Sequence, residues 1–479
     1  MVARRIDETD QAIERRIARI PPSPVDDGLK VLTTTANHSL LWFAVAAALA
    51  SKKGVTRRAA VRGVCAIGAT SFLANAVGKP LLPRRRPAAD ALPKFRTLPN
   101  PPTSSSFPSG HAASAAAFAT AVTMEAPLAG ALVAPVAATV AYSRIHTGVH
   151  WTSDVVAGAL LGGGVALATR RWWPVRPQTP ARARPRTEAP ALPDGEGLVV
   201  VVNPGSGSTD STHELAELLP AARLVELEEG EDLAARLAAS LNGASAAGVA
   251  GGDGSVAAAA AFAEKHRIPV AVFPAGTLNH FARDVGAESL ADAAQAVTGG
   301  EAVAVDLATV TVDGQTRRPF VNTASIGGYP DLVRIRERWQ HRLGKWLAGG
   351  LALIRVLAKA KPLHVLLDGR KISVWLLFVG NGPYHPRGMV PAWRPALDTG
   401  LLDLRYLRAD LRLSRTRFVL AALTGALHRS RTYVQRDAPA LSVRVLGEPV
   451  DLATDGEVPT TGSWFDFGVV PGKLTVYRP

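Results

Sequence analysis

Three polar stretches between residues 79 and 154 carry basic, hydroxyl and imidazole side chains at regular spacing. KPLLPRRRP places Lys79 and Arg86 seven positions apart, SSSFPSGH ends at His111, and SRIHTGVHWTSD contains His150 and Asp154 four positions apart. A helix that starts at SGH offers free backbone N–H groups to an anion. A spacing of four puts His150 and Asp154 on one helical face, so the carboxylate can hold one imidazole nitrogen while the other faces a substrate. These residue types predict a phosphate-binding site with histidine chemistry.

Apolar segments flank these stretches and are predicted to be helices, at about residues 39–50, 63–78, 111–124, 128–142 and 153–169. Each is shorter than the ~20 residues of an ideal spanning helix, so hydropathy alone leaves a buried soluble bundle open. Charge favours the membrane, because Lys52–Arg62 and Arg170–Arg171 flank apolar segments as cytoplasmic loops do. We therefore expect an all-α transmembrane helix bundle whose polar stretches meet on the outer face.

The three stretches resemble the motifs of the type 2 phosphatidic acid phosphatase family, K-x6-R-P, P-S-G-H and S-R-x5-H-x3-D, and the likeness spans roughly residues 30–170. The resemblance implies that His150 attacks phosphorus to form a phosphohistidine, that Asp154 orients it, and that His111 protonates the departing alkoxide. It implies no metal or other cofactor. The residues that it implies for binding the phosphoryl oxygens are Lys79, Arg86, Ser109, Gly110 and Arg144.

Beyond residue 197, three glycine-rich loops follow short apolar strands. The loops are NPGSGS at 203–208, GGDGS at 251–255 and PAGTLNHFARD at 274–284. Alternating strands and helices predict a parallel sheet, which binds its ligand at the carboxyl ends of the strands. Glycines let the backbone close on phosphate groups, and the Asp253 carboxylate is suited to hold Mg²⁺ or polarise a hydroxyl.

These loops resemble those of the diacylglycerol kinase catalytic family, which includes sphingosine kinases and bacterial lipid kinases. Ser255 replaces the family's usual threonine, and His280 stands where aspartate is common. The resemblance implies ATP and Mg²⁺ as cofactors, Asp253 as a catalytic residue and Mg²⁺ ligand, and Asp455 as the base for a lipid hydroxyl, with Glu457 nearby. The residues that it implies around the nucleotide are Asn203, Gly252, Asp253, Gly254, Ser255, Gly276, Thr277 and Asn279.

The chain of 479 residues divides by composition into predicted parts. They are a polar arm (1–30), a membrane phosphatase domain (31–170), a solvated Pro/Arg-rich linker (171–196), an α/β nucleotide-binding domain (197–304) and a β-rich domain (305–479). Asp313-Gly314 and Asp368-Gly369 between alternating segments predict hairpins, so the last part should be antiparallel. Within it, HPRGMVPAWRPALD at 385–398 lacks the glycine-rich, acidic form common in the kinase family.

The net charge of +14 implies an anionic partner: nucleic acid, anionic lipid or a phosphate-bearing substrate. Nucleic acid is disfavoured, because no aromatic residue is interleaved with the arginines of 174–196. Lipid is favoured by residues 331–361, which are predicted as a helix with eight Lys/Arg, two acidic residues and Trp339 and Trp346. The expected partners are therefore membrane lipids, and no oligomeric state is predicted.

Together these features predict a bifunctional enzyme of the cytoplasmic membrane, with a phosphatase for lipid phosphates and an ATP-dependent kinase for a lipid alcohol such as diacylglycerol. ATP places the kinase site in the cytoplasm, and the order of the apolar segments places the phosphatase site on the outer face. Alternatives are a polyprenyl phosphate or diphosphate for the phosphatase, and a sphingoid or other long-chain alcohol for the kinase. A further alternative is a nucleotide-binding lipid sensor without phosphate transfer, which a nucleotide-turnover assay separates from a kinase.

Overall fold

The computed structural model of the chain forms two compact units, Met1–Gln178 and Thr179–Pro479. Each unit buries apolar residues in cores of its own. The structure describes the whole chain except residues 1, 53, 89–91, 187–188, 207–210, 229, 277–278, 316, 328–338, 340–354, 356–360, 390 and 456. The basic helix expected at 331–361, save a few positions, and Thr277 therefore lie outside the described residues.

The first unit is helical. Its helices are α1 Val2–Ala18, α2 Pro24–Thr35, α3 Leu40–Ala50, α4 Val55–Phe72, α5 Lys79–Leu81, α6 Gly110–Glu125, α7 Pro127–His146 and α8 Thr152–Ala168. The apolar segments expected as helices are confirmed in α3, α4, α6, α7 and α8, and a π-type turn at Leu73–Gly78 joins α4 to α5. Three helical stretches among the described residues are long and apolar enough to cross a membrane, namely Val55–Leu81, Pro127–His146 and Thr152–Arg171.

Large apolar side chains project outward from two of these stretches. Leu128, Leu132 and Leu160 are 88%, 78% and 72% exposed. Exposing apolar surface to water costs a free energy of about 25 cal/mol per Å². Contact with lipid tails has no such cost, because the tails are as apolar as leucine. The first unit therefore has the surface of a membrane-embedded helix bundle.

The polar arm expected at residues 1–30 is instead built into the first unit, so that boundary is wrong. Asp10 on α1 and Asp26 on α2 are 3% and 4% exposed. Asp26 Oδ1 accepts a hydrogen bond from Arg96 Nε over 2.8 Å and lies 2.6 Å from His146 Nε2. Buried carboxylates need such partners, and composition does not reveal partners that lie far along the chain.

Close packing between α6 and α8 joins two of the polar stretches. A Cβ added at Gly158 would lie 2.4 Å from the carbonyl oxygen of Ser109, and one at Gly162 would lie 2.0 Å from that of Ala113. The N–H group of Ser109 also donates to the carbonyl of Asp154 over 3.0 Å. The two glycines therefore determine how closely α8 approaches the helix that starts at SGH.

Gly158→Ala is expected to destabilise the first unit by about 1–3 kcal/mol, because the new methyl group would overlap the Ser109 carbonyl. Gly164→Ala on the same helix is the matched control, since nothing lies within 4 Å of its added Cβ. Detergent-solubilised protein should melt at a lower temperature with the first change only. Equal melting temperatures for the two variants would contradict this packing.

The second unit is a mixed sheet with helices around it. Its strands are β1 Arg184–Arg186, β2 Leu198–Val202, β3 Arg223–Glu226, β4 Ala246–Gly251, β5 Val270–Pro274, β6 Ala302–Val312, β7 Arg317–Phe320, β8 Thr323–Gly327, β9 Leu363–Leu367, β10 Arg370–Asn381, β11 Leu402–Arg408, β12 Tyr433–Ala438, β13 Ala440–Val445, β14 Val450–Thr454, β15 Glu457–Gly462 and β16 Trp464–Tyr477. Its helices are α9 Ser211–Leu218, α10 Leu233–Ser240, α11 Asp253–His266, α12 His280–Val285, α13 Leu290–Gly299 and α14 Ser414–Leu423.

The expected parallel sheet is confirmed, with strands in the order β3-β2-β4-β5. All five residues of β2 are buried, as expected for a strand that packs on both faces. The hairpins expected at Asp313-Gly314 and Asp368-Gly369 are also confirmed. All four of these residues have positive φ, and the turns join the antiparallel pairs β6–β7 and β9–β10.

Strand β6 crosses the boundary that was expected at residue 304. β16 pairs antiparallel with β6, and it also pairs in parallel with β5 through Val476 and Val270. The C-terminal strand therefore returns to the nucleotide-binding sheet and makes one continuous sheet of both predicted domains. Pairing between strands so distant in sequence leaves no trace in local composition.

The linker expected at 171–196 is attached to folded structure near both ends, although many of its described residues are exposed. The guanidinium of Arg62 donates to the carbonyl of Trp173 over 2.6 Å, which attaches the start of the linker to the first unit. Within the second unit, β1 pairs with β6, and Leu192 is 5% exposed. Many prolines do favour an extended chain, but strand pairing and side-chain contacts hold both ends of it.

Candidate active sites

The polar stretches of the first unit converge on one cavity of about 580 Å³. The expected residues that line it are Lys79, Arg86, Gly110, His111, Arg144 and His150. Ser109 and Asp154 are buried and do not line the cavity. Ser109 is the N-cap residue of α6, where its hydroxyl accepts from the Ala112 N–H group over 3.5 Å. The structure therefore brings the cations and imidazoles together and leaves Ser109 a capping role.

His150 is 4% exposed and is positioned between Asp154 and Arg86. Its Nδ1 lies 3.7 Å from Asp154 Oδ2, and its Nε2 lies 3.3 Å from Arg86 Nη1. Burial, more than the neighbouring charges, lowers the pKa of His150 to about 4, although Asp154 acts in the opposite direction. The imidazole is therefore neutral at pH 7, and its Nε2 lies on the side of Arg86.

The guanidinium of Arg144 includes a buried N–H donor that has no hydrogen-bond acceptor among the described residues. Its Nη1 donates to Thr33 Oγ1 over 2.6 Å, whereas its Nε is buried and has no hydrogen-bond partner among the described residues. A buried donor without a partner is costly, and a phosphoryl oxygen in the cavity would satisfy it. Together with Lys79 and Arg86, this guanidinium gives the cavity the charge that a phosphoryl group requires.

Arg84 and Asp10 are two residues in contact with the candidate site that sequence reasoning missed. Arg84 Nη1 donates to Asp154 Oδ1 over 2.9 Å, and Arg84 Nη2 donates to Asp10 Oδ2 over 3.0 Å. Asp10 Oδ1 also accepts from the N–H group of Ser153 over 2.9 Å. Asp10 of helix α1 therefore positions Arg84, and Arg84 in turn binds the Asp154 carboxylate. The cluster PRRRP resembles a common membrane anchor, so its sequence did not distinguish Arg84 from its neighbours.

Asp10→Asn is expected to lower kcat for phosphate release about 10- to 100-fold while KM stays within about twofold, because a small misplacement of the catalytic pair is costly. Glu8→Gln is the matched control, since Glu8 is on the same helix and its side chain is 63% exposed. The kinase rate of each preparation should not change. A parallel loss of both activities would instead indicate unfolding and contradict a positioning role.

The glycine-rich loops of the second unit lie at the carboxyl ends of β2, β4 and β5. Asn203 Nδ2 donates to Ser255 Oγ over 3.0 Å, and a Cβ on Gly276 would lie 2.5 Å from Gly252 Cα. Asn279 Oδ1 accepts from the Gly276 N–H group over 3.0 Å and closes the third loop. The loops therefore lie in contact with one another, at a distance that the absence of a Cβ on Gly276 permits.

The Asp253 carboxylate is occupied by hydrogen bonds. Oδ1 accepts from the Phe281 N–H group (3.2 Å) and Asn322 Nδ2 (3.1 Å), and Oδ2 accepts from the His280 N–H group (3.3 Å). In the part of the chain that the structure describes, no group of three or more His, Cys, Asp or Glu side chains is placed to hold a metal. Asp253 therefore joins two loops, and its role as a Mg²⁺ ligand remains a prediction, since Mg²⁺ usually takes only one or two carboxylates beside phosphate oxygens and water.

Asp455 accepts hydrogen bonds of 2.8–2.9 Å from the backbone N–H groups of residues 321–323. Burial outweighs these donors and raises the pKa of Asp455 to about 6, and the nearby Asp253 charge acts in the same direction. A carboxylate with a raised pKa is a stronger base. Asn322 contacts both carboxylates, with its side chain on Asp253 and its N–H group on Asp455. Glu457 begins β15, and its side chain lies outside the described residues.

Arg394 is a further residue that sequence reasoning missed. It lies in HPRGMVPAWRPALD and is 2% exposed. Its Nη2 donates to Asn322 Oδ1 over 3.1 Å, and its Nε donates to Asp284 Oδ2 over 2.7 Å. Arg394 therefore fixes the amide that contacts Asp253. The one signal in the sequence was a lone arginine between apolar residues, which does not specify a buried role.

The first unit has a histidine–carboxylate pair beside three cations, and the second unit has glycine-rich loops at the carboxyl ends of a parallel sheet. Residues 59–178 match the model of the PAP2 superfamily, and residues 197–310 match that of the diacylglycerol kinase catalytic domain. The chain belongs to both families, as a fusion of a PAP2 domain with a diacylglycerol kinase catalytic domain.

Individual relatives match one half or the other. The second half is similar to the "Probable lipid kinase YegS-like" of Pseudomonas aeruginosa, with 30% identity over 48% of this chain and 75% of that protein. It is also similar to a "Diacylglycerol kinase" of Mycobacterium tuberculosis, with 28% identity over 53% of this chain and 85% of that protein. The first half is similar to the "Decaprenylphosphoryl-5-phosphoribose phosphatase" of Mycolicibacterium smegmatis, with 38% identity over 27% of this chain and 69% of that protein.

Proposed function

We propose that the first unit hydrolyses lipid phosphates and that the second transfers the γ-phosphoryl group of ATP to a lipid alcohol such as diacylglycerol. The phosphatase activity is supported chiefly by the His150–Asp154 pair, which lies beside a cavity with three cations. The kinase activity is supported chiefly by the hydrogen bonds of Asn322, which link Asp253 of a glycine-rich loop to Asp455.

In the phosphatase, Nε2 of His150 attacks phosphorus, so that an N–P bond forms as the P–O bond to the lipid breaks. Burial and the neighbouring cations lower the pKa of His111 to about 3, and the negative charge of a bound lipid phosphate would act in the opposite direction. In its protonated form His111 gives a proton to the departing lipid oxygen. Arg86 and Arg144 stabilise the negative charge on the phosphoryl oxygens. Water then attacks the phosphohistidine, His111 takes a proton from it, and inorganic phosphate leaves as the imidazole is regenerated.

In the kinase, Asp455 takes the proton of the lipid hydroxyl, whose oxygen attacks the γ-phosphorus of ATP while the bond to the β-phosphate oxygen breaks. The backbone around Gly252, Gly254 and Gly276 would hold the phosphates. A divalent metal, which the kinase family implies, would neutralise phosphate charge when bound. Asp253 would be one ligand, and phosphate oxygens and water would supply the others.

A polyprenyl phosphate, alone or bearing a sugar phosphate, is a second candidate substrate for the phosphatase. Relatives of the first half are named decaprenylphosphoryl-5-phosphoribose phosphatase and undecaprenyl-diphosphatase. Beyond the cations, the cavity is lined by polar residues that suit hydroxyl groups, including Asn37, His38, Asn75 and Asn100. Phosphate release from phosphatidic acid, a polyprenyl phosphate and a polyprenyl-linked sugar phosphate, at equal micellar fractions, would rank the three.

The two sites are proposed to act on opposite membrane leaflets. His150 precedes α8 and Arg170–Arg171 follow it, so the phosphatase site and this basic cluster are at opposite ends of that helix. With the basic end cytoplasmic, the phosphatase site faces outward while ATP keeps the kinase inside. Cysteines placed at 108 and 150 in a chain lacking Cys65 should react with an impermeant reagent from outside, and reaction only from inside would refute this topology.

The proposed chemistry is tested by following the label from each substrate. A lipid phosphate labelled with ³²P should leave acid-labile label on His150, and [γ-³²P]ATP with diacylglycerol should give labelled phosphatidic acid. If ATP binds but transfers no phosphate to diacylglycerol, a sphingoid base or another long-chain alcohol, the second unit is a nucleotide-binding lipid sensor instead.

A further inference from the structure

The turn between α2 and α3 reaches two of the phosphatase residues. Thr33, in the last turn of α2, is 0% exposed and accepts a hydrogen bond from Arg144 Nη1 over 2.6 Å. Asn37, in the turn itself, lines the phosphatase cavity, and its Oδ1 lies 2.9 Å from His111 Nε2. Both residues precede position 59, where the match to the PAP2 model begins. The family motifs therefore do not account for these two contacts.

The backbone of this turn adopts an unfavourable conformation. His38 and Ser39 follow Asn37 with φ of 51° and 63°, in the left-handed region that residues with a Cβ seldom occupy. Such residues persist where the surrounding structure determines them, and they concentrate at functional sites. The preceding Ala36 is 4% exposed and packs into the helical core. The fold therefore holds Asn37 beside His111 at a cost to the local backbone.

The contact with Asn37 distinguishes the two nitrogens of the His111 ring. An amide oxygen only accepts hydrogen bonds, so Nε2 carries the proton in this contact. In a histidine, the hydrogen bond made by one ring nitrogen sets the protonation of the other. With Nε2–H held by Asn37, Nδ1 is the nitrogen that can gain and lose a proton.

We propose that Asn37 is a positioning residue that holds Nε2–H of His111, so that Nδ1 delivers the proton to the departing lipid oxygen. As the N–P bond to His150 forms, the P–O bond breaks, and the lipid oxygen keeps the electron pair and takes the Nδ1 proton. Nδ1 then accepts a proton from the water that attacks the phosphohistidine, while Nε2 keeps its proton throughout. This role rests on the proposed phosphatase function and adds to it a residue that acts through His111.

A neutral partner orients the His111 ring without changing its charge balance. The charged and titratable groups that face His111 are Arg144, His150, Lys79 and His38. A carboxylate at position 37 would favour the protonated ring, whereas an amide does so far less. Asn37→Asp should therefore keep the hydrogen bond and move the high-pH limb of phosphohistidine formation, measured in single turnovers, upward by at least about one pH unit. An unshifted limb would contradict the contact.

The main test compares two substrates that differ in their need for an acid. Phosphatidic acid releases an alkoxide that must be protonated, whereas a nitrophenyl phosphate with a long alkyl chain releases a stable phenolate. Asn37→Ala should lower kcat/KM about 10- to 100-fold on phosphatidic acid and less than about threefold on the nitrophenyl phosphate. Because both values come from one preparation, their ratio does not depend on the fraction of folded protein.

Thr35→Ala is the matched control for Asn37→Ala. Thr35 is exposed at the end of α2, its hydroxyl donates to the Leu32 carbonyl over 2.9 Å, and it is not among the residues that line the cavity. This variant should leave both kcat/KM values unchanged. Equal losses on the two substrates with Asn37→Ala, or no loss on either, would overturn the proposal, because a general acid matters most for the poorer leaving group.

The protonation of His111 provides a readout that does not need turnover. In the ¹⁵N spectrum of the histidine-labelled full chain in detergent, the signals of His111 are identified by their loss in His111→Gln. At pH 7 they should be those of the Nε2–H tautomer, and Asn37→Ala should give a mixture of both tautomers. A ring protonated on Nδ1 in the unsubstituted chain would overturn the proposal. If that chain hydrolyses neither substrate, the phosphatase function is refuted, whereas the spectra decide the contact with Asn37 independently.

Discussion

His150→Ala is expected to lower phosphate release from lipid phosphates by at least about 10³- to 10⁴-fold, because it removes the nucleophile and the phosphoenzyme cannot form. The kinase rate of the same preparation should be unchanged, since Asp253, Asn322 and Asp455 belong to a separate unit. The measurement is the release of inorganic phosphate from phosphatidic acid and from a polyprenyl phosphate in mixed micelles. Binding of a substrate phosphonate analogue should persist.

The chain supplies a matched control for this change. His213 Nδ1 lies 3.7 Å from Glu217 Oε1 at a spacing of four, which copies the His150–Asp154 pair, but its side chain is 76% exposed. His213→Ala should leave phosphate release intact, because this exposed imidazole belongs to the second unit and does not line the phosphatase cavity. Phosphate release that survives His150→Ala would refute the phosphohistidine route.

Asp455→Asn is expected to lower kinase kcat by about 10²- to 10⁴-fold, because the amide cannot take the proton of the lipid hydroxyl. The pH profile provides a second readout. A general base must be ionised, and the pKa of Asp455 is raised to about 6. The kcat/KM value should therefore fall as pH decreases through 6, approaching tenfold per pH unit, where an ordinary aspartate would remain ionised until about pH 4.

Two observations separate this role from a structural one. The residual activity of Asp455→Asn should lose the inflection near pH 6, and the variant should still bind ATP. Glu217→Gln, which neutralises an exposed carboxylate of the same unit, should leave both rate and pH profile unchanged. A variant that keeps the full rate, or keeps the same inflection, would remove Asp455 from the mechanism.

Local sequence patterns were sufficient to predict the helices, the strands and the motif residues. The run of valines in β2 predicts a buried strand, and Asp313-Gly314 predicts a tight turn, because both depend on neighbouring residues alone. Lys79, His111 and His150 were found in the same way. Each stands at a helix end or in an adjacent loop, where a short polar motif is visible between apolar segments.

Long-range partners could not be predicted in this way. Asp10 acts on a carboxylate 144 positions away through Arg84, and Arg394 reaches Asn322 across 72 positions. A lone charged residue in a sequence is usually solvated, so burial and pairing become evident only when the chain is folded. The same reason explains why β16 could not be assigned to the nucleotide-binding sheet.

The central claim is that one chain carries two independent phosphate-transferring sites. The most direct measurement is the fate of ³²P from [γ-³²P]ATP with diacylglycerol in mixed micelles, for the unsubstituted chain, His150→Ala and Asp455→Asn. We expect labelled phosphatidic acid that accumulates most with His150→Ala, is partly converted to labelled inorganic phosphate by the unsubstituted chain, and is absent with Asp455→Asn. If His150→Ala protein binds ATP but forms no labelled lipid from any lipid alcohol, the claim of two enzyme activities is contradicted.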